Sequence, residues 1–100
     1  MVGNMIVKSI VRKSEYRDSI QLMRISNEIA KLKGVKNAAV LMATDANKKI
    51  LSDAGLLTDE IKKAGPNDLV FAVSSEDENV IKKAFERLEQ LLGGSRTRDS

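Results

Sequence analysis

The segment Asp68-Leu-Val-Phe-Ala-Val-Ser74 decides the fold of this chain. It is short, rich in β-branched and aromatic residues, and preceded by a Gly-Pro turn signal, which is typical of a β-strand. Both alternating sets of its side chains are apolar, so we expect this strand to be covered on both faces of a sheet. The rest of the chain must therefore supply the other strands and the elements that cover them.

Two earlier segments have a similar character. Residues 5–12 predict a first strand, with one apolar face and one mixed face. A second strand is predicted at 37–43, where both alternating sets are again apolar, so it should be central or covered on both sides. The sequence therefore predicts a small sheet of three strands.

Two long amphipathic helices accompany these strands. The first runs over about 19–33, with Asp18 as its cap and Gly34 as its end. The second opens at Ser75-x-x-Glu78, which fits a capping box. Apolar residues recur at steps of three and four in both helices, which predicts one buried stripe on each. The stripes consist of Leu22, Ile25, Ile29 and Leu32 in the first helix, and of Ile81, Ala84, Phe85, Leu88, Leu91 and Leu92 in the second.

Two short helices are predicted between the second and third strands. Asp45 is expected to cap a helix at 46–54, and Thr58 to start another that ends at Gly65-Pro66. Together the elements follow the order β-α-β-(α-α)-β-α. This order predicts an α/β (α+β) two-layer sandwich, a three-stranded sheet with two long helices on one face.

The direction of the third strand separates two versions of this fold. An antiparallel third strand between the other two gives a reduced ferredoxin-like sheet, and a parallel one gives a small doubly wound sheet. We favour the antiparallel version, because the two short helices can then fold back over the edge that they leave. Residues 1–92 form the predicted domain, and residues 93–100, which are small and polar, are expected to be a disordered tail or linker.

Composition excludes several classes of function. The chain has 100 residues without cysteine or histidine, so we expect no catalytic thiol, no cofactor and no transition-metal site. A net charge of +3, scattered cations and three aromatic residues give no nucleic-acid interface. No apolar run approaches the roughly 20 residues that span a bilayer, and no signal peptide is evident. We therefore expect a cytoplasmic protein with no membrane partner.

Polar turns that follow the strands contain the candidate binding residues. Helix N-termini can bind anions, although an aspartate that caps a helix competes for the same amides. If the third strand is antiparallel, the turn before it joins the same edge of the sheet. The candidate residues are Arg17, Asp18, Ser19, Thr44, Asp45, Asn47, Lys48 and Asn67.

The segments 16–23, 42–48, 51–55 and 65–69 resemble, in the same order, the amino-terminal domain of the FdrA family. Members of that family are described as acyl-CoA synthetase-like and are similar to the succinyl-CoA synthetase α subunit. The resemblance implies a large cytoplasmic protein with CoA-ligase-like nucleotide-binding domains. It also implies a role in bacterial purine and allantoin breakdown, with carbamoyl transfer to or from oxamate.

Proteins of that family are several times longer than this chain, and their glycine-rich ligase domains have no counterpart in it. We therefore expect a non-catalytic accessory or assembly domain. Its predicted partners are other domains of a larger chain or a second copy, bound through an apolar sheet face, since only two long helices are available to cover the sheet. Two alternatives remain open: a module that binds a small anionic ligand at 16–19 and 44–48, and an engineered version of such a domain.

Overall fold

The computed structural model describes residues 5–93 and confirms the predicted order of elements. None of the helices within this range is long and apolar enough to cross a membrane. Apart from Gly93, the predicted tail at 93–100 lies outside the described residues. The elements are β1 (Ile6–Arg12), α1 (Ser19–Ala30), β2 (Val35–Met42), α2 (Asp45–Asp53), α3 (Asp59–Lys62), β3 (Leu69–Ser75) and α4 (Glu78–Leu91).

The sheet has the strand order β1-β3-β2, and β3 is antiparallel to both neighbours. Leu69, at the start of β3, is paired with Arg12 at the end of β1 and with Met42 at the end of β2. The antiparallel, reduced ferredoxin-like arrangement is thus confirmed, and the doubly wound alternative is wrong. Because β1 and β2 are parallel, both of them end at the edge of the sheet where β3 begins.

One face of the sheet packs against α1 and α4, as the two apolar stripes predict. Ile25, Ile29 and Leu88 are buried there together. Phe85 is only half-buried, and its ring meets the buried ring of Phe71 edge-on, with the ring centroids 5.1 Å apart. This contact fixes α4 over the central strand, since edge-to-face aromatic pairs have a preferred geometry.

The opposite face of the sheet carries a second core, to which the two short helices contribute. Leu51 of α2, Leu56 of the following loop and Ile61 of α3 pack over Val70 and Ala72 of β3. All seven residues of β3 are consequently buried. The two short helices and their connecting loop therefore bury the central strand on this face, while Val7, Val11, Ala39 and Leu41 of the outer strands stay only partly buried.

Local details at α2 and β2 also differ from the sequence prediction. The cap of α2 is Thr44 rather than Asp45, because the Thr44 hydroxyl accepts a hydrogen bond from the Asn47 amide at 3.2 Å. Strand β2 begins at Val35 rather than at residue 37. A bulge between Val35 and Asn37 adds one residue and lets Val35 pair with β3.

The cap of α4 is Asp77 rather than Ser75. Ser75 still belongs to β3, and its hydroxyl donates a hydrogen bond to the Gly34 carbonyl at 2.8 Å. The Asp77 side chain accepts from the Asn79 amide at 2.9 Å. Because the Ser75 hydroxyl is bonded to the turn at Gly34, Asp77 caps α4 instead.

Candidate functional site

Three polar turns meet at the edge of the sheet where β1 and β2 end and β3 begins. Asp68 joins them: its Oδ1 accepts a hydrogen bond from the Ser14 amide at 2.8 Å, and its backbone carbonyl accepts one from the Ala43 amide at 2.9 Å. The turn before β3 therefore shares this edge, as the antiparallel arrangement predicts. We call this edge the turn edge, and it comprises residues 13–18, 43–47 and 65–68.

Asp68 is buried at the turn edge and was missed as a site residue by the sequence analysis. Its Oδ2 accepts a hydrogen bond from the Gly65 amide at 2.9 Å and is 3.4 Å from the Lys13 ammonium. The Gly65 and Ser14 amides hold the pKa of Asp68 below its usual value, with a further contribution from Lys13 and against the opposing effect of burial. The Gly-Pro-Asn-Asp turn was the available signal, because aspartate in such turns accepts hydrogen bonds from the nearby backbone.

Replacing Asp68 by asparagine is expected to flatten the acid dependence of stability. A carboxyl whose pKa is lowered by folding stabilises the fold above its unfolded pKa of about 3.9, and this contribution is lost as the pH falls through the lower folded pKa. The Asp68→Asn variant should be less stable at pH 7 and should lose less stability below about pH 4.

Urea titrations at a series of pH values between neutrality and strong acid measure this difference. Asp53→Asn, a change at an exposed carboxyl at the end of α2, is the control. An acid dependence of Asp68→Asn identical to that of the unchanged protein would contradict the role assigned to this carboxylate.

The two cations that were expected to attract an anion are used within the protein. Arg17 donates from its Nη2 to the Glu15 carboxylate at 3.1 Å and to the Leu92 carbonyl at 2.9 Å, just beyond α4. The ammonium of Lys48 donates to two carbonyls at the end of α3, at 3.0 and 2.6 Å. Both cations therefore complement the C-terminal ends of helices.

Capping occupies the amides that an anion would use. The Asp18 carboxylate accepts from two amides in the first turn of α1, at 3.0 and 3.4 Å, and the Thr44 hydroxyl accepts from the first turn of α2. Asp45 is the first residue of α2, where it adds negative charge, and Asn67 is exposed at the turn edge. These contacts do not support the alternative of an anion-binding module.

The two remaining candidate residues, Ser19 and Asn47, line a groove between α1 and α2 beside β2. The groove has a volume of about 350 Å³, and no charged side chain of residues 5–93 lines it. We call it the apolar groove. Its lining residues are Ser19, Leu22, Met23 and Ser26 of α1, Ala39, Leu41 and Met42 of β2, and Asn47 and Ile50 of α2.

Hydrogen bonds attach both walls of the apolar groove to β2. The Ser26 hydroxyl accepts a hydrogen bond from the Val40 amide at 2.9 Å, which fixes α1. The Asn47 side chain donates to the Met42 carbonyl at 2.8 Å, which fixes the start of α2. The groove is therefore preformed, and a partner that enters it does not have to move either helix.

Large apolar side chains at the apolar groove are exposed to solvent. Met23 and Ile50, which line it, are 64% and 56% exposed. Ile20 and Tyr16, close in sequence to the groove residue Ser19, are 65% and 74% exposed. Clustered exposed apolar residues of this kind are typical of interaction surfaces. Ile20 and Met23 lie outside the buried stripe of α1. This offset indicates in the sequence that both side chains are exposed, and it was not used in the prediction.

Comparison with known proteins gives a family and a relative. A family model described as "AllF, heavy metal-associated domain" matches residues 5–100. The uncharacterized protein YahF of Escherichia coli (strain K12) is 37% identical over 88 residues. That alignment covers 88% of this chain but 17% of YahF, so the chain spans a small part of the length of this relative. No solved structure matches the chain.

The description of the matched family raises the question of whether these residues suit a heavy metal. Soft and borderline metals prefer thiolate and imidazole ligands, and the sequence has neither cysteine nor histidine. Within residues 5–93, no group of three or more acidic residues could hold a metal ion. Met23 and Met42 bring two thioethers to the apolar groove, without a further soft ligand. The side chains present therefore do not fit a heavy-metal site.

Proposed function

Because the chain belongs to the AllF family of heavy metal-associated N-terminal domains, we propose that it is a non-catalytic accessory domain that packs against the remainder of a longer protein. The observation that carries this proposal is the apolar groove, which is preformed and exposes Met23 and Ile50. YahF supports it, since the matched segment makes up 17% of that relative and most of its length lies outside the match.

The chemistry of the apolar groove favours an apolar partner surface. Full burial of a methionine or isoleucine side chain contributes about 1.5–3 kcal/mol, so covering Met23 and Ile50 supplies a useful share of a domain interface. Strand addition to β2 is disfavoured at this point, because the Ser26 hydroxyl already takes the Val40 amide. The partner that fits is therefore a helix or loop that inserts apolar side chains.

The proposal that this chain alone is not an enzyme rests on its titratable groups. It has no histidine or cysteine, so acid–base chemistry near neutrality would require a carboxylate with a raised pKa or a lysine with a lowered one. Asp68 is the one buried carboxylate in the described part of the chain, and its pKa is shifted down, away from neutrality. Its hydrogen bonds serve to hold the turn edge together.

The wider role is proposed from the resemblance to the FdrA family. On that basis the longer protein is acyl-CoA synthetase-like, is located in the cytoplasm, and takes part in bacterial purine and allantoin breakdown. The support is the ordered likeness of the segments 16–23, 42–48 and 65–69. Such a protein would place its catalytic groups in other domains, in agreement with an accessory role for this one.

Hydrogen exchange tests the proposed docking surface. The exchange of this chain alone is compared with that of the same segment within a longer family protein. We expect α1 and α2, which form the walls of the apolar groove, to exchange more slowly in the longer protein, while α3 serves as the internal control. Equal exchange of α1 and α2 in both forms would contradict docking through the groove.

A further inference from the structure

Two methionines line the apolar groove, and they differ in their exposure to solvent. Met23 of α1 is 64% exposed, whereas Met42 at the end of β2 is 9% exposed. Met42 belongs to the core beneath α1 and α4, while Met23 lies outside the buried stripe of α1. Oxidation of methionine to its sulfoxide depends on access from solvent, so an oxidant reaches the side chain of Met23 before that of Met42.

We propose that Met23 is a redox-sensitive modification site, and that its oxidation to the sulfoxide weakens docking through the apolar groove. The oxidant is a hydroperoxide. A lone pair of the Met23 sulfur attacks one peroxide oxygen, the O–O bond breaks as the S–O bond forms, and the rest of the peroxide leaves as water or an alcohol. The sulfur is oxidised and the peroxide is reduced by the same two electrons. Two thiols reverse the step, since they release the oxygen as water and become a disulfide.

The surroundings of Met23 make the added oxygen unfavourable in a docked interface. No charged side chain within residues 5–93 lines the groove, and the side chains of Ser26 and Asn47 are already bonded to β2. A sulfoxide is polar, so docking would move its oxygen from water to an apolar partner surface. In the undocked chain the oxygen stays in water, because Met23 is exposed. Oxidation therefore acts against the docked state and leaves the fold intact.

This inference rests on the proposed function, since it concerns the same groove. Docking and oxidation oppose each other in both directions. A docked partner covers Met23 and slows its oxidation, and an oxidised Met23 disfavours the docked state. A peroxide would thus release the domain from its partner surface, and reduction of the sulfoxide would let it dock again.

Peptide mass spectrometry during treatment with hydrogen peroxide tests the accessibility of each methionine. In this chain alone, Met23 should be oxidised severalfold faster than Met42. When the chain is bound to a family protein that lacks the corresponding segment, the oxidation of Met23 should slow severalfold. Met5, which is 50% exposed outside the groove, is the internal control and should keep its rate. Equal oxidation rates of Met23 and Met42 in the chain alone would overturn the proposal.

Calorimetric titration into the same family protein measures the effect of oxidation on docking. The oxidised chain should bind at least about tenfold more weakly than the untreated chain, and reduction of the sulfoxide should restore the affinity. Met23→Leu cannot form a sulfoxide, so the dissociation constant of this variant should be the same before and after peroxide treatment. Met5→Leu is the matched control and should lose affinity on oxidation as the unchanged chain does. Circular dichroism checks that the oxidised chain remains folded.

The outcomes distinguish this inference from the proposed function. If the untreated chain does not bind, docking through the groove is contradicted and the inference fails with it. If the untreated chain binds and peroxide leaves its affinity unchanged, docking stands and the role of Met23 is overturned. The role is also overturned if Met23→Leu loses as much affinity on oxidation as the unchanged chain, or if the oxidised chain unfolds.

Discussion

Phe71→Ala is expected to lower the free energy of unfolding by about 3–5 kcal/mol, the usual cost of removing a buried aromatic ring. Phe71 is 1% exposed, lies in the middle of the central strand, and contacts the ring of Phe85. Domains of this size have a total stability of about 5–15 kcal/mol, so this one change removes a large part of it.

Urea unfolding monitored by circular dichroism measures this loss. Phe85→Ala is the matched comparison, because it removes a phenyl ring of the same size, the other member of the aromatic pair. Phe85 is half-buried, so its variant should lose less stability than Phe71→Ala. If the two variants lose equal amounts, or if Phe71→Ala costs less than about 1 kcal/mol, the packing described for this face is contradicted.

Gly34→Ala is expected to be the second most damaging change, at about 2–4 kcal/mol from backbone strain and overpacking together. Gly34 has φ +96°, a region that L side chains rarely adopt, and a Cβ at this position would lie 2.8 Å from Cγ2 of Val80. Valine is stiff about χ1 and cannot easily turn away. The backbone cannot easily shift either, since the Gly34 carbonyl accepts the Ser75 hydroxyl.

Gly55→Ala separates the two causes. Gly55 also has positive φ, at +75°, but a Cβ there would meet no atom within 4 Å. It should therefore show the backbone strain alone, about 1–2 kcal/mol. Equal losses for both alanine variants in urea titrations would mean that the contact with Val80 contributes nothing.

Much of the fold could be predicted because its signals are local and repeated. The stripe Leu22, Ile25 and Ile29 identified α1, and the two apolar faces of 68–74 identified the central strand. Errors arose where two neighbouring groups compete for one hydrogen bond. Thr44 and Asp45 can both cap a helix, and Ser75 can either cap α4 or close β3 against Gly34. Sequence alone does not show which of two candidate residues caps a helix, because the choice depends on tertiary contacts.

The candidate site was predictable only in part, for the same reason. The antiparallel third strand brought the polar turns to one edge, as expected. Their charged side chains, however, are used by the protein itself: Arg17 and Lys48 bind helix ends, and Asp18 caps α1. The apolar groove forms only when α1, β2 and α2 are assembled. The exposure of Met23 is indicated in the sequence only by its offset from the buried stripe of α1, and the exposure of Ile50 is not indicated there.

The central claim is that this domain docks on the remainder of a longer protein through the apolar groove. Calorimetric titration of this chain into a family protein lacking the corresponding segment tests it most directly. We expect saturable binding with a negative heat-capacity change, as for burial of apolar surface. Ile50→Asp should weaken binding at least about tenfold, because it forces a charge into that interface. Met5→Asp, at an apolar side chain that is 50% exposed outside the groove, should leave binding unchanged. Absence of binding, or equal binding by both variants, would contradict the account.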